Sequence, residues 1–368
     1  MHDSAAVSWT ETVLARLAEP PEGRLCVGCD GFFDRIVRVV APHEEQRIVY
    51  YAQIAAFLES VPKEASSAYE LVLQEQRLGG NAPLLARGAA QLGLPTTLIA
   101  TLGWPQPQPS LIATLQHLPL TLLSIGRPGE TLALEFDNGK IMLGQMEELS
   151  TLRLDDLEAR LAPQSLIELV RSSSMMAWVN WTMTGWLEDL WREMLSWNIP
   201  LPPMLVDLAD PTRRGGAALE RVLTLLSSWP GELLLGMNRN EAQHVARLGS
   251  SSVGGTLSSL AETCGKLLPG ATLLLHSREE ALLHQESTQV ILNIPTLKTP
   301  RTMTGAGDHF NAGICLGRSY GLSGQALLGM GAAYATAYVM NGASPSREQL
   351  RSLLREQQAA WDTPPLRS

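Results

Sequence analysis

Apolar positions along the chain change spacing repeatedly, and the changes mark its elements. Val13, Leu14 and Leu17 share one face of an amphipathic helix that Pro20-Pro21 ends, so residues 1–23 read as an N-terminal helical extension. Arg24 to Val27 opens a first strand, and Gly28 to Asp34 forms a turn-rich exit from it. From Arg35 to Val40 charged and apolar side chains alternate, as they do in a half-exposed strand. Between Thr131 and Leu143 two extended runs hinge at Asp137-Asn138-Gly139, a strong hairpin signal. These regions, approximately 35–50 and 130–144, predict a small β-sheet that projects from the core as a lid.

Gly79-Gly80-Asn81 leads into an Ala/Leu-rich helix that stops at Leu92-Gly93, and Thr96 to Ala100 follows as a buried strand. Short apolar runs then alternate with helical segments at Met176–Val179, Met204–Val206, Leu233–Leu235 and Thr272–Leu275. That rhythm predicts an α/β fold: a mostly parallel sheet covered by helices on both faces, spanning residues 24–345. Residues 346–368 read as a C-terminal helix and tail. Ligands in such a fold belong at the carboxyl ends of the strands.

Composition narrows the partners. A hydrophobic content of 45% and a net charge of −9 describe a large core with no basic face for nucleic acid. No 18-residue apolar run occurs, which predicts no membrane partner. Cys26-Val27-Gly28-Cys29 has a redox or zinc spacing, but no second Cys or His pair accompanies it. On an extended strand these two thiols would face opposite sides as buried, reduced groups, which sets the expected location in the cytoplasm. The nine tryptophans read mostly as core filling.

Chemistry concentrates at Thr304-Gly305-Ala306-Gly307-Asp308-His309-Phe310-Asn311-Ala312-Gly313. Two glycines allow a tight turn, and a small-residue helix begins at once. Unpaired amides and the dipole at a helix start attract a phosphate. A carboxylate inside that anion site suits one task, taking the proton from a hydroxyl that attacks the phosphate. Taken alone, the motif is equally a helix cap. Walker A and dinucleotide fingerprints are both excluded: Gly265-Lys266 is followed by Leu267, and Phe310 stands where a third glycine would be.

The Thr304–Gly313 run resembles the C-terminal signature of the ribokinase-like (PfkB-type) carbohydrate kinases. Gly79-Gly80-Asn81-Ala82 with Ala86 and Leu92-Gly93 is similar to that family's N-terminal glycine signature. Asn238-Arg239-Asn240-Glu241 is similar to its Asn-x-x-Glu motif, and Asp34 to its acid for substrate hydroxyls. The resemblance implies a three-layer α/β/α core with a β lid and ATP-dependent phosphorylation of a sugar-like hydroxyl. Asp308 would be the general base, with Gly305, Ala306 and Gly307 completing the phosphoryl-holding turn. Asp34, Gly79, Gly80 and Asn81 would bind substrate, while Asn238, Ser277, Thr304 and Gly307 would bind nucleotide. A helix dipole is worth about 0.3–1 kcal/mol when exposed, too little for phosphoryl transfer, so Mg2+ is required. Glu241 with Asn238 would position it through water. Dependence on K+ stays open.

Leu84, Thr302 and Ser277-Arg278-Glu279-Glu280 depart from the family pattern. Leu84 suggests an acceptor with fewer hydroxyls, and Glu280 adds negative charge near the nucleotide. Arg213 and Arg214, after Asp207–Pro211, are candidates to meet nucleotide phosphates. His309 reads as structural. Two alternatives remain at this point, a non-catalytic binder on the same fold and a nucleoside kinase. Apolar lid strands also predict a homodimer through the lid.

Overall fold

The apolar runs read as buried strands do pair side by side. This computed structural model describes residues 7–42, 48–161, 163–250, 254–297 and 299–361. Residues 43–47 of the first lid stretch, Lys298 and the tail 362–368 lie outside the described residues. The strands are β1 Leu25–Cys29, β2 Phe32–Val39, β3 Leu71–Gly79, β4 Thr96–Ala100, β5 Leu120–Ser124, β6 Gly129–Phe136, β7 Gly139–Gln145, β8 Met175–Val179, β9 Met204–Asp207, β10 Leu233–Asn238, β11 Thr272–His276, β12 Glu280–Gln285 and β13 Thr288–Asn293.

Nine of them form the core sheet in the order β13-β12-β11-β10-β9-β8-β1-β4-β5. Pairing is parallel from β5 to β11 and antiparallel at β12 and β13. Because both faces are covered, β1, β4 and β8 are buried at every position rather than alternating. One apolar layer holds the helices Trp9–Arg16, Asn81–Gln91, Ala306–Ser319, Gly324–Asn341 and Arg347–Glu356. The opposite layer holds those from Leu154 to Ser227 and from Arg239 to Leu267.

The lid is a separate four-stranded sheet, β3-β2-β6-β7. Its β6–β7 hairpin closes Phe136 onto Gly139, at the Asn-Gly turn read from the sequence. Two details differ from that reading. The first lid strand runs Phe32–Val39 instead of filling 35–50, and β3 is an unanticipated partner for it. Much of β3 is exposed on both faces, so it shows no apolar alternation by which to recognise a strand.

Cys26 and Cys29 are also placed differently. Both thiols are free and fully buried, and both pack in the same apolar layer. Side-chain alternation lapses at Cys29, where the strand ends. Burial pushes the Cys26 thiol up to about 12, which fits an inert packing role.

Candidate active site

A cavity of about 780 Å³ opens where the carboxyl ends of β9, β10 and β11 meet the start of the Ala306–Ser319 helix. One side is polar, with Asn81, Asp207, Glu241, His276 and Asp308. The other is apolar, with Ile294, Leu297, Met303, Ala335 and Val339. This division suits a ligand with a charged end and a flat, weakly polar end. A second cleft of about 570 Å³ lies apart, and its Arg160 sits 3.8 Å from Glu148, so its charges offset one another.

Gly305 starts the helix in a left-handed turn at φ 91°, and a Cβ there would sit 2.9 Å from the Tyr338 hydroxyl. Glycine is therefore required on both counts. The turn is braced from two sides. Tyr338 Oη donates to the Thr304 carbonyl at 2.9 Å, and His309 Nδ1 bonds the Gly305 carbonyl at 2.7 Å. His309 also reaches Ser344 at 2.8 Å and stacks on Tyr338, with centroids 3.6 Å apart. Thr304 thus contributes its carbonyl to the brace. Of the three amides expected to hold phosphate, that of Ala306 already donates to the Met303 carbonyl at 3.2 Å. Among the described residues the amides of Gly307 and Asp308 make no bond to another residue's carbonyl, so the anion site is narrower than the sequence suggested.

Asp308 lines the cavity while being only 6% exposed. Burial drives its carboxyl well above the usual carboxylate range, and the nearby charges of Asp207 and Asp30 add to the shift. Opposing them, Asn81 Nδ2 donates to Asp308 Oδ1 at 2.9 Å. Asn81 is itself anchored by Asp30, whose carboxylate accepts from the amides of Asn81 at 2.9 Å and Ala82 at 2.7 Å. That carboxylate caps the Asn81–Gln91 helix, which has Gly80 as its N-cap and no local side-chain cap. Asn180 Nδ2 donates to Asp30 as well, at 2.6 Å. Burial raises Asp30 to about 6 despite these three bonds.

Asp30 is the acid directly after β1; Asp34, given that place in the sequence reading, lies within lid strand β2. Its side chain packs against Gly79, where a Cβ would approach Asp34 Oδ2 to 2.5 Å, and Arg77 stands 3.8 Å away. Asp34, Gly79, Gly80 and Asn81 thus converge where lid meets core. Leu84 joins them, 3.3 Å from the Gly305 Cβ position.

Glu241 and Asn238 form a reciprocal cap on the Arg239–Gly249 helix. Asn238 Oδ1 accepts from the amides of Asn240 and Glu241, and Glu241 Oε2 accepts from the Asn238 amide at 2.8 Å. Asn238 therefore has its oxygen committed to the helix cap. Glu241 keeps a second oxygen toward the cavity. Burial, then Asp207, then Asp308 push its carboxyl up to about 9. Asp207, unassigned in the sequence, sits beside it and accepts from the Ala209 amide and from Asn311 Nδ2, each at 2.8 Å.

A cluster of acids that raise one another's pKa fits a divalent cation, whose charge would lower all of them. No group of three or more His, Cys, Asp or Glu among the described residues is close enough to cage a metal. Such a donor set suits Mg2+ held by one or two carboxylates with water and phosphate oxygens.

Four further sequence candidates take the following positions. Ser277 lines the cavity, but its hydroxyl accepts from the amides of Glu279 and Glu280 at 3.1 Å and so shapes its own loop. Glu280 is paired with Arg239 at 3.0 Å, which offsets the negative charge expected near the nucleotide. Arg214 stacks over Trp181 at 4.8 Å and donates to the Thr182 carbonyl, while Arg213 faces solvent. Neither lines the cavity.

A family model for prokaryotic ketohexokinases matches residues 4–357. A ketohexokinase of Haloferax volcanii is 31% identical over 349 residues, covering 90% of each chain. Among solved structures, ribokinase of Thermotoga maritima superposes with a TM-score of 0.63 at 16% identity, covering 90% of this chain and 98% of its own. Ribokinase of Arabidopsis thaliana, complexed with ribose and ATP, superposes with a TM-score of 0.60 at 18% identity, covering 92% and 99%. At those identities the superpositions show the fold, which is ribokinase-like.

Proposed function

Since the chain belongs to the prokaryotic ketohexokinase family and is a carbohydrate kinase, we propose that it transfers the terminal phosphoryl group of ATP to a hydroxyl of a ketohexose. The observation that carries this reading is Asp308, a buried carboxylate at a helix start, facing a cavity large enough for a nucleotide. In this reading Asp308 takes the acceptor proton. Its raised pKa gives it more affinity for that proton than an exposed carboxylate has. The amides of Gly307 and Asp308 hold the phosphoryl group, and the Gly305 turn presents them. Asp34, Asn81 and the Gly79-Gly80 backbone bind the sugar under the lid. The apolar wall takes the adenine. Bound Mg2+, held by Glu241 and Asp207 through water, would neutralise charge building on the phosphates.

Family membership favours a ketohexose over the sparsely hydroxylated acceptor that Leu84 suggested. Six exposed apolar side chains, Ile48, Val49, Leu71, Leu73, Met142 and Leu143, gather on lid strands and the segment leading to them. This supports a homodimer through the lid. No helix among the described residues is long and apolar enough to cross a membrane; the four free, buried cysteines support work in a reducing cytoplasm.

The test is ADP release with Mg-ATP across fructose, other ketohexoses, aldoses and nucleosides, with and without K+. Fastest turnover is expected on a ketohexose. Preference for a nucleoside would overturn the acceptor assignment. Absence of turnover, with no thermal shift from Mg-ATP, would leave a non-catalytic binder.

A further inference from the structure

A triphosphate brings several negative charges into a cavity already lined by Asp207, Glu241 and Asp308. Among the described residues its only arginines are Arg239 and Arg278. Arg239 is committed, bonded to Glu280 at 3.0 Å and to the Gly255 carbonyl at 2.6 Å. Arg278 is exposed at the rim. Inside, beyond the helix-start amides, one donor-bearing ring flanks the Gly307 turn and makes no hydrogen bond to protein among the described residues.

That side chain is His276, the last residue of β11, paired in register with Asn238 at the end of β10. Its ring lies against Phe310, with centroids 4.8 Å apart and planes tilted by 38°. Phe310 belongs to the same helix as Asp308, so the imidazole is oriented by the element that carries the proposed base. Its Nε2 and Cε1 atoms sit 3.7 Å from the point that a Cβ on Gly307 would occupy. Burial lowers its pKa to about 4, so near neutral pH the empty site holds an uncharged ring with one N–H. A phosphate seated on the Gly307 amide would therefore find that imidazole at its flank.

We propose that His276 is a phosphate-binding residue, donating a hydrogen bond to the terminal phosphates of the nucleotide. The assignment rests on the reading of this cavity as the nucleotide site. It explains how an acid-rich pocket with a committed arginine receives a polyanion, since an aimed neutral donor adds attraction without a side chain that would pair with Asp207 or Glu241.

Two substitutions separate donation from packing. His276→Phe keeps an aromatic ring against Phe310 and removes the N–H; His276→Asn keeps a donor and removes the ring. With Mg2+ present, His276→Phe is expected to weaken ATP and ADP binding in calorimetry by about tenfold to a hundredfold, the range of a hydrogen bond to a charged group. KM for ATP should rise in step, KM for the sugar and the affinity for adenosine should hold, and His276→Asn should recover most of the loss. ATP binding by His276→Phe equal to wild type would overturn the proposal. So would a larger loss in His276→Asn than in His276→Phe, or a loss shared by adenosine, because either outcome marks a packing or base-stacking role. Failure of the unaltered protein to bind ATP would overturn the kinase reading as well, which keeps the two failures distinct.

Discussion

Asp308 was legible from sequence because glycines, acid and small-residue helix stand next to one another, so short-range geometry fixes their relation. Replacing it with Asn keeps size and the Asn81 contact while removing proton affinity. Turnover should fall by about 10²–10⁴-fold, the usual contribution of a general base. The thermal shift caused by Mg-ATP should persist, and near-normal turnover in Asp308→Asn would refute the base assignment. Asp30 was not legible. A single acid after a buried strand carries no local pattern, and its partners Asn81, Ala82 and Asn180 lie 51, 52 and 150 residues away in sequence. Asn238 shows the opposite limit, since a motif can be recognised while its oxygen turns out to serve the helix cap.

At the level of elements, periodicity served best where one face is wet or none is. The β6–β7 hairpin declared itself through its Asn-Gly turn, and the core strands through unbroken apolar runs. Strand β3 did not, because its middle residues Gln74, Glu75 and Gln76 are polar and exposed, and what makes it a strand is pairing with β2 along Phe32–Val39. The apolar side chains left on this lid carry a prediction. Leu73→Lys with Met142→Lys should shift the protein from dimer to monomer in sedimentation velocity and leave its circular dichroism unchanged. An unaltered mass in that variant would remove the lid from the interface.

Across the molecule, the two layers divide the labour. The layer with the Ala306–Ser319 helix also gathers both ends of the described chain, where Trp9 and Trp361 meet edge to face at 5.7 Å over the Gly324–Asn341 helix. The nine-stranded sheet brings four acids to the middle of its carboxyl edge. Burial raises Asp30 to about 6 and Glu241 to about 9, and raises Asp207 and Asp308 too. Folding thus favours the protonated forms. Their contribution is complete below about pH 4, where the unfolded carboxylates titrate, and is lost as pH rises through about 6 and then about 9. The melting temperature of metal-free protein should therefore fall across that window in calorimetry, and Mg2+ should blunt the fall. A flat profile would mean that these acids are solvated.

The Asp30–Asn81–Asp308 chain has one more consequence. In the proposed reading, a sugar that seats badly against Asn81 would also tilt the Asp308 carboxylate, because one amide group would serve both. Discrimination among acceptors should then surface as slow turnover rather than as weak capture: a wrong sugar would be held, yet seldom changed.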